Sequence, residues 1–121
     1  MRSLLVKLAR LEISRLFIGW VFTHMSFVIP VKRLRETKTL LAFHHPQPSH
    51  PVHILLVPKR SFATLMDLPP DATDFLQDLV KTVQDLVHEY NLEKGGYRLI
   101  VNGGAYQDVP HLHFHLVANA S

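Results

Sequence analysis

The chain has 121 residues, no cysteine, nine histidines and a formal net charge of +3, from 13 basic and 10 acidic side chains. This length suffices for one hydrophobic core but not for two. An apolar fraction of 47% with 19% charged residues excludes disordered and collagen-like chains. The lack of cysteine excludes disulfides, thiolate zinc sites and cysteine nucleophiles. Histidine is therefore the chief candidate for chemistry, since imidazole titrates near neutral pH and binds metals.

Charge divides the chain into a basic N-terminal part and an acidic body. Residues 1–35 carry seven basic side chains against one acidic, a net charge of +6, whereas residues 36–121 carry six against nine, a net charge of −3. We define the arm as residues 1–27, where helix formers predict a moderately amphipathic helix. The uncharged residues 16–31 are fewer than the ~20 of a membrane span, and no signal-peptide cleavage site follows them. Three interpretations stay open: a helix packed on the body or on a second subunit, a helix on a membrane surface, or a disordered or processed leader.

Residues 28–121 are predicted to form one α+β domain. Apolar, β-branched runs predict strands over 37–44 and 52–58, joined by a proline-rich hairpin connection of six to eight residues. An i, i+3/i+4 apolar rhythm predicts a helix that is capped by Asp71 or Thr73, ends at residues 94–96 and packs one face on a sheet. Two more strands are predicted over 97–102 and 111–118.

The last predicted strand carries the strongest chemical signal. His111, His113 and His115 alternate with apolar residues. Alternate positions of a strand share one face, so three imidazoles are predicted to line one side of the sheet. Two chemistries fit such a row. It could present imidazoles to zinc, copper or iron, or it could be catalytic, with a central imidazole that attacks while its neighbours orient it and carry protons.

The surroundings favour phosphoryl or nucleotidyl chemistry over a metal site. No ligand helix of the H-E-x-x-H kind accompanies the row. Asn102, Gly103 and Gly104 follow a predicted strand, where a side-chain amide and flexible backbone amides suit an anion. We expect no metal and no other required cofactor. We also expect no nucleic-acid partner, since the basic residues of the arm form no recognised motif.

Several segments together resemble a known family. The string HLHFHLV at 111–117 fits the H-φ-H-φ-H-φ-φ signature, with φ apolar, of the histidine triad (HIT) superfamily of nucleotide hydrolases and transferases. The segments LLAFHH at 40–45, PVHILLVPK at 51–59 and GGYRLIVNGG at 95–104 agree in order and spacing. Residues 28–121 thus resemble this superfamily, and most closely its Hint branch. The resemblance implies a five-stranded antiparallel sheet packed with helices, a homodimer and a phosphate pocket lined by the triad.

The resemblance also implies roles for individual residues. His113 resembles the nucleophile that attacks the α-phosphate of a nucleotide and forms a nucleotidyl-histidine, which water then hydrolyses. His111 resembles the residue that positions His113, partly through its backbone carbonyl. His115 resembles the contact to the phosphate or leaving group, and His53 the histidine that supports the proton relay. Asn102 matches a phosphate-side asparagine of the family.

The sequence departs from the Hint pattern in three places: Ser61 stands where members often carry a histidine, and the other two concern candidate substrate-binding residues. His45 stands where members carry an aspartate that binds the ribose hydroxyls, which leaves the means of ribose recognition open. Asp108 stands where a phosphate-contacting serine is usual. A carboxylate there would repel phosphate unless it turns away or pairs with a histidine.

The implied function is a cytoplasmic nucleotide hydrolase that cleaves nucleoside phosphoramidates or related nucleoside monophosphate derivatives, with purine nucleotides as the expected substrates. One alternative is a dinucleoside polyphosphate hydrolase. Another is a non-catalytic nucleotide-binding scaffold whose arm makes peripheral contact with a membrane or docks on a partner. A metal-dependent histidine site is a fourth hypothesis.

Overall fold

The computed structural model describes residues 32–120, and the predicted arm, residues 1–27, lies outside them. Residues 32–120 form a five-stranded antiparallel sheet with helices packed on it. The strands are β1 (Arg33–Glu36), β2 (Leu40–His44), β3 (Val52–Pro58), β4 (Arg98–Val101) and β5 (Phe114–Ala118), in the spatial order β1-β2-β3-β5-β4. The helices are α1 (Thr73–Glu89) and the short α2 (Leu92–Gly95). The expected α+β class and five-stranded sheet are confirmed.

The core lies between α1 and one face of the sheet. Successive strand residues point to opposite faces, and one alternating set of each inner strand packs against the apolar side of α1. This set contains Leu40, Ala42, Ile54, Leu56, Phe114 and Leu116, which meet Phe75, Leu79, Val83, Leu86 and Val87 of the helix. Each fully buried leucine contributes about 1.5–3 kcal/mol relative to an exposed one. This side of the sheet therefore anchors β3 and β5, and their other face is left to carry His53 and His115.

The central strands match their predicted positions, but their ends differ. β2 begins at Leu40 rather than at residue 37, because Thr37 forms a turn: its N–H donates to the Leu40 carbonyl over 2.9 Å and its Oγ1 accepts the Leu40 N–H over 3.0 Å. Seven residues, 45–51, join β2 to β3, as predicted. β4 spans only Arg98–Val101 of the predicted 97–102.

The strand predicted over 111–118 begins only at Phe114. The N–H groups of His111 and Leu112 are used outside the sheet: that of His111 donates to the carbonyl of Val109 over 2.8 Å, and that of Leu112 donates to the carbonyl of Phe62 over 2.7 Å. His111 and His113 therefore lie in a bend that leads into β5. The apolar pattern predicted four strands and missed β1, whereas the resemblance implied the five strands that the structure has.

Helix α1 is shorter than predicted and is capped differently. Its N-cap is Ala72, with no side-chain cap, so neither Asp71 nor Thr73 has the predicted role. It ends at Glu89 because Asn91 adopts a left-handed conformation with φ of 56° and the chain restarts as α2. Among residues 32–120 no helix is both long enough and apolar enough to cross a bilayer.

Candidate active site

The pairing of β3 with β5 brings two of the predicted residues into contact. Leu55 lies opposite His115, and His53 lies opposite Val117, so His53 and His115 are diagonal neighbours on one face. Nε2 of His53 is 2.9 Å from Nδ1 of His115, and the ring centroids are 5.1 Å apart. The antiparallel register therefore places a histidine–histidine hydrogen bond on the face opposite α1.

A backbone group fixes the direction of that hydrogen bond. The N–H of Ser49, in the β2–β3 connection, donates to Nδ1 of His53 over 3.1 Å. The neutral imidazole carries a single proton, which must then lie on Nε2 and point at His115. His115 accepts it at Nδ1, so its own proton lies on Nε2. The result is a relay that ends in a donor on His115.

His113 has the opposite tautomer. Its Nδ1–H donates to the backbone carbonyl of His111 over 2.7 Å, which leaves the lone pair of the neutral ring on Nε2. Its ring lies 5.0 Å from that of His115, and only 3% of the residue is exposed. Two adjacent rings therefore differ at Nε2, where His113 has a lone pair and His115 has an N–H.

His111 contributes to this arrangement mainly through its backbone. It lies in the bend before β5, and its imidazole hydrogen-bonds to the carbonyl of Pro58 at the end of β3. Its own carbonyl receives the Nδ1–H of His113. The alternation predicted from the sequence holds for the apolar neighbours, because Leu112, Phe114 and Leu116 are buried in the core beneath α1.

His45 joins the cluster from the hairpin connection. Its ring stacks on His53, with centroids 4.4 Å apart and planes inclined by 26°, and lies 6.2 Å from His115. Nδ1 of His45 accepts the N–H of Gln47 over 2.9 Å, so the proton of the neutral ring is on Nε2. A donor thus occupies the position where the Hint pattern has a carboxylate.

Burial keeps these imidazoles neutral at physiological pH. Desolvation lowers the pKa of His45, His53 and His115 to about 4 each. Repulsion between neighbouring imidazoles adds to the effect, whereas Asp108 opposes it at His45 and His115. Burial also lowers the pKa of His111. His45, His53 and His115 therefore offer hydrogen-bonding groups but little positive charge.

Asp108 lies beside Nε2 of His113. Its Oδ1 lies 4.0 Å from Nε2 of His113, and its side chain is 36% exposed. The carboxylate therefore does not turn away from the histidines. Gln107 holds the loop that carries Asp108 in place, since its Nε2 donates to the carbonyls of Ala63 (2.7 Å) and Val109 (2.9 Å).

The residues predicted to bind phosphate lie at the end of β4. Val101 pairs with Phe114, so Asn102 follows one position later, level with His113, which directly precedes β5. Gly103 and Gly104 are exposed. They begin a single 3-10 turn in which Gly104 has φ of 58° and the Tyr106 N–H donates to the Gly103 carbonyl. Their contacts with a substrate stay predictions.

Three contributors to the site carry no signal in the sequence pattern. Ser49 and Gln47 act through backbone N–H groups, which any residue except proline supplies. Gln107 acts on loop carbonyls whose position depends on the fold. Within the described range of the chain, no three histidine, aspartate or glutamate side chains are placed to share a metal ion.

Comparisons with known proteins agree with this architecture. A family model for the HIT domain matches residues 26–121. An uncharacterized 13.2 kDa HIT-like protein of Azospirillum brasilense is 38% identical over 93 residues, or 74% of this chain and 76% of that protein. A histidine triad protein from Clostridium difficile is 33% identical with a TM-score of 0.69, covering 77% of this chain and 83% of that one. A HIT family hydrolase from Legionella pneumophila Philadelphia 1 is also 33% identical, with a TM-score of 0.70 and coverages of 77% and 85%.

Proposed function

Because this chain belongs to the HIT family, we propose that it is a hydrolase that cleaves at the α-phosphate of nucleoside phosphoramidates or related nucleoside monophosphate derivatives. The observation that carries the proposal is the pair of opposite tautomers in adjacent rings. His113 presents a lone pair at its Nε2, and His115 presents an N–H at its own Nε2. A phosphoryl centre between them would meet a nucleophile and a hydrogen-bond donor together.

In the first step, Nε2 of His113 attacks phosphorus. The bond from Nε2 to phosphorus forms as the bond from phosphorus to the leaving nitrogen breaks, and the departing amine takes up one proton from solvent. Nδ1 keeps its proton and its bond to the His111 carbonyl, so the positive charge of the nucleotidyl-imidazolium is spread toward an oxygen acceptor.

In the second step, water replaces the histidine. A water oxygen attacks phosphorus, the bond from phosphorus to Nε2 breaks, and His113 leaves as the neutral base. The product is a nucleoside monophosphate, and the water supplies its new oxygen and releases one proton. The Nε2–H of His115 donates to a phosphoryl oxygen or to the leaving group, where charge develops in both steps.

The test is hydrolysis of an adenosine phosphoramidate by the wild type and His113→Ala. We expect the alanine variant to lose turnover by at least about 10³-fold, in the range that removal of a catalytic nucleophile gives. His88→Ala is the matched control, because His88 is 88% exposed and pairs only with Glu93 in the described structure. Intact-mass analysis of rapidly quenched wild type should show one added nucleotidyl group. Undiminished turnover in a folded His113→Ala protein would contradict the mechanism.

Rates on a second substrate, binding measurements and metal analysis separate the alternatives. A faster rate on diadenosine tetraphosphate than on the phosphoramidate would favour a dinucleoside polyphosphate hydrolase. Tight nucleotide binding without turnover, together with liposome binding that is lost when residues 1–27 are deleted, would favour the scaffold. Bound metal in the purified protein and loss of activity with a chelator would favour a metal-dependent site.

We also propose that the chain forms a homodimer through the edge of β4. This strand has β5 on one side and no strand partner on the other among residues 32–120. Tyr97 and Leu99 are 47% and 44% exposed there. The other edge, β1, is rich in charge, which discourages edge-to-edge pairing. An apolar, unprotected edge is the one that suits a second copy of the chain.

A further inference from the structure

Asp108 places a negative charge next to His113, the proposed nucleophile, in a site that must bind a phosphate. Its Oδ1 is 4.0 Å from Nε2 of His113. Among the described residues no lysine or arginine lies within ion-pair distance of its carboxylate. The neighbouring His45 and His115 feel its field but stay neutral, since burial lowers their pKa values to about 4. When His113 is neutral, as its attack on phosphorus requires, none of these described groups cancels the charge of the carboxylate.

The distance brings this charge close to any bound α-phosphate. A nucleophile in position to attack lies about 3–3.5 Å from phosphorus. Phosphorus would then lie within about 7.5 Å of the carboxylate oxygen, which is less than the ~8 Å over which physiological salt screens charge. The site is also largely buried around His113, which weakens screening further. The carboxylate must therefore distinguish ligands by the charge on this phosphate.

Substrate and product differ in that charge. The α-phosphate of a nucleoside phosphoramidate ester has one ionisable oxygen and carries one negative charge at neutral pH. The nucleoside monophosphate that hydrolysis releases carries nearly two, since its second pKa is about 6. Repulsion by Asp108 is thus greater for the product than for the substrate.

We propose that Asp108 is a specificity-determining residue that selects singly charged α-phosphates and expels the doubly charged nucleoside monophosphate product. The inference rests on the proposed function, because it takes His113 as the point of attack. It explains how a carboxylate is tolerated beside a phosphate site: its repulsion is smaller for the substrate and speeds release of the product.

The test compares two ligands that differ in charge. The probes are adenosine 5′-monophosphate and its methyl ester, which share base and sugar and carry two and one negative charges at pH 7.5. Their dissociation constants are measured by calorimetry for the wild type, Asp108→Asn and Asp108→Ser. Asp71→Asn is the control, because it removes one exposed carboxylate on the α1 side of the sheet.

We expect both Asp108 variants to bind the monophosphate more tightly relative to the ester by about tenfold, equivalent to ~1.4 kcal/mol. The gain should shrink at high salt, and Asp71→Asn should leave the ratio unchanged. In the hydrolysis assay, inhibition by the monophosphate should strengthen in parallel. A ratio that stays within about twofold of the wild type, while both probes bind, overturns the role of Asp108 alone. Failure of both probes to bind any of the folded proteins overturns the proposed function as well.

Discussion

The hydrogen bond from His53 to His115 provides a sharp test of the relay. Replacing His53 with methionine removes the donor but keeps an unbranched side chain of similar reach. Replacing it with glutamine keeps a terminal N–H at a comparable distance from the backbone. Both variants lack the imidazole ring, and only glutamine has an N–H to donate. A difference in activity between them therefore measures the contribution of the donor rather than the loss of the ring.

The size of the effect follows from the geometry. The bond is 2.9 Å long, the donor residue His53 is 7% exposed and His115 is partly buried, so water has limited access to Nδ1 of His115. A neutral hydrogen bond contributes about 0.5–1.5 kcal/mol net, and a buried acceptor left without a donor costs about 1–3 kcal/mol. If the loss falls on the transition state, 1.4–2.7 kcal/mol corresponds to roughly 10- to 100-fold in rate. We therefore expect His53→Met to lower kcat by about 10- to 100-fold and His53→Gln by less than about fivefold.

The assay is steady-state hydrolysis of the adenosine phosphoramidate, with kcat and KM resolved. Since His53 acts through His115, we expect the loss in kcat, with KM changed little. Urea unfolding of both variants controls for stability. Equal activity of wild type and His53→Met would refute the relay, and equal damage in the two variants would show that His53 acts through ring packing rather than through its proton.

Three further outcomes follow from the structure. Folding lowers the pKa of His53 from 6.5 to about 4, so the unfolded chain takes up the proton first as the pH falls. The free energy of unfolding should therefore fall by about 1 kcal/mol through His53 alone between about pH 7.5 and 5.5. His53→Gln should show a shallower decline in urea titrations. Leu99→Lys on the β4 edge should convert the dimer to a monomer, as measured by sedimentation. Met66→Lys is the control, because Met66 is 90% exposed elsewhere, and it should leave the dimer intact. A Leu99→Lys protein that is still a dimer would contradict the proposed interface. Leu116→Ala, at a residue with no exposure, should cost about 2–5 kcal/mol of stability, and a cost below 1 kcal/mol would contradict its central place in the core.

The sequence revealed the elements whose residues follow a simple apolar pattern and missed those that depend on tertiary partners. β3 was predictable because every residue in it is buried. β1 was not, because three of its four residues are charged. It exists because Arg35 and Glu36 pair with β2, while their side chains reach Glu89 of α1 (2.9 Å) and Lys59 (2.7 Å). Such pairings become visible only once the elements are assembled.

The site divides in the same way. Alternation pointed to His113 and His115, and the resemblance pointed to His53 and to the unusual Asp108. The tautomers could not be predicted, since they depend on the backbone N–H of Ser49 and the backbone carbonyl of His111, groups that every residue type except proline offers. The bend that turns this carbonyl toward the ring arises from backbone contacts of residues 109–112, not from a side-chain motif.

The register of β3 against β5 links the stability of the fold to the chemistry of the site. A shift of one residue would exchange the two faces of a strand. His115 would then enter the core beneath α1, and Leu116 would replace it beside His53. Packing of Ile54, Leu56 and Leu116 against the helix thus opposes the same slip that would break the relay. The burial that holds the register also removes water from the imidazoles and keeps them neutral, so core packing sets both the position and the protonation state of the proposed donor.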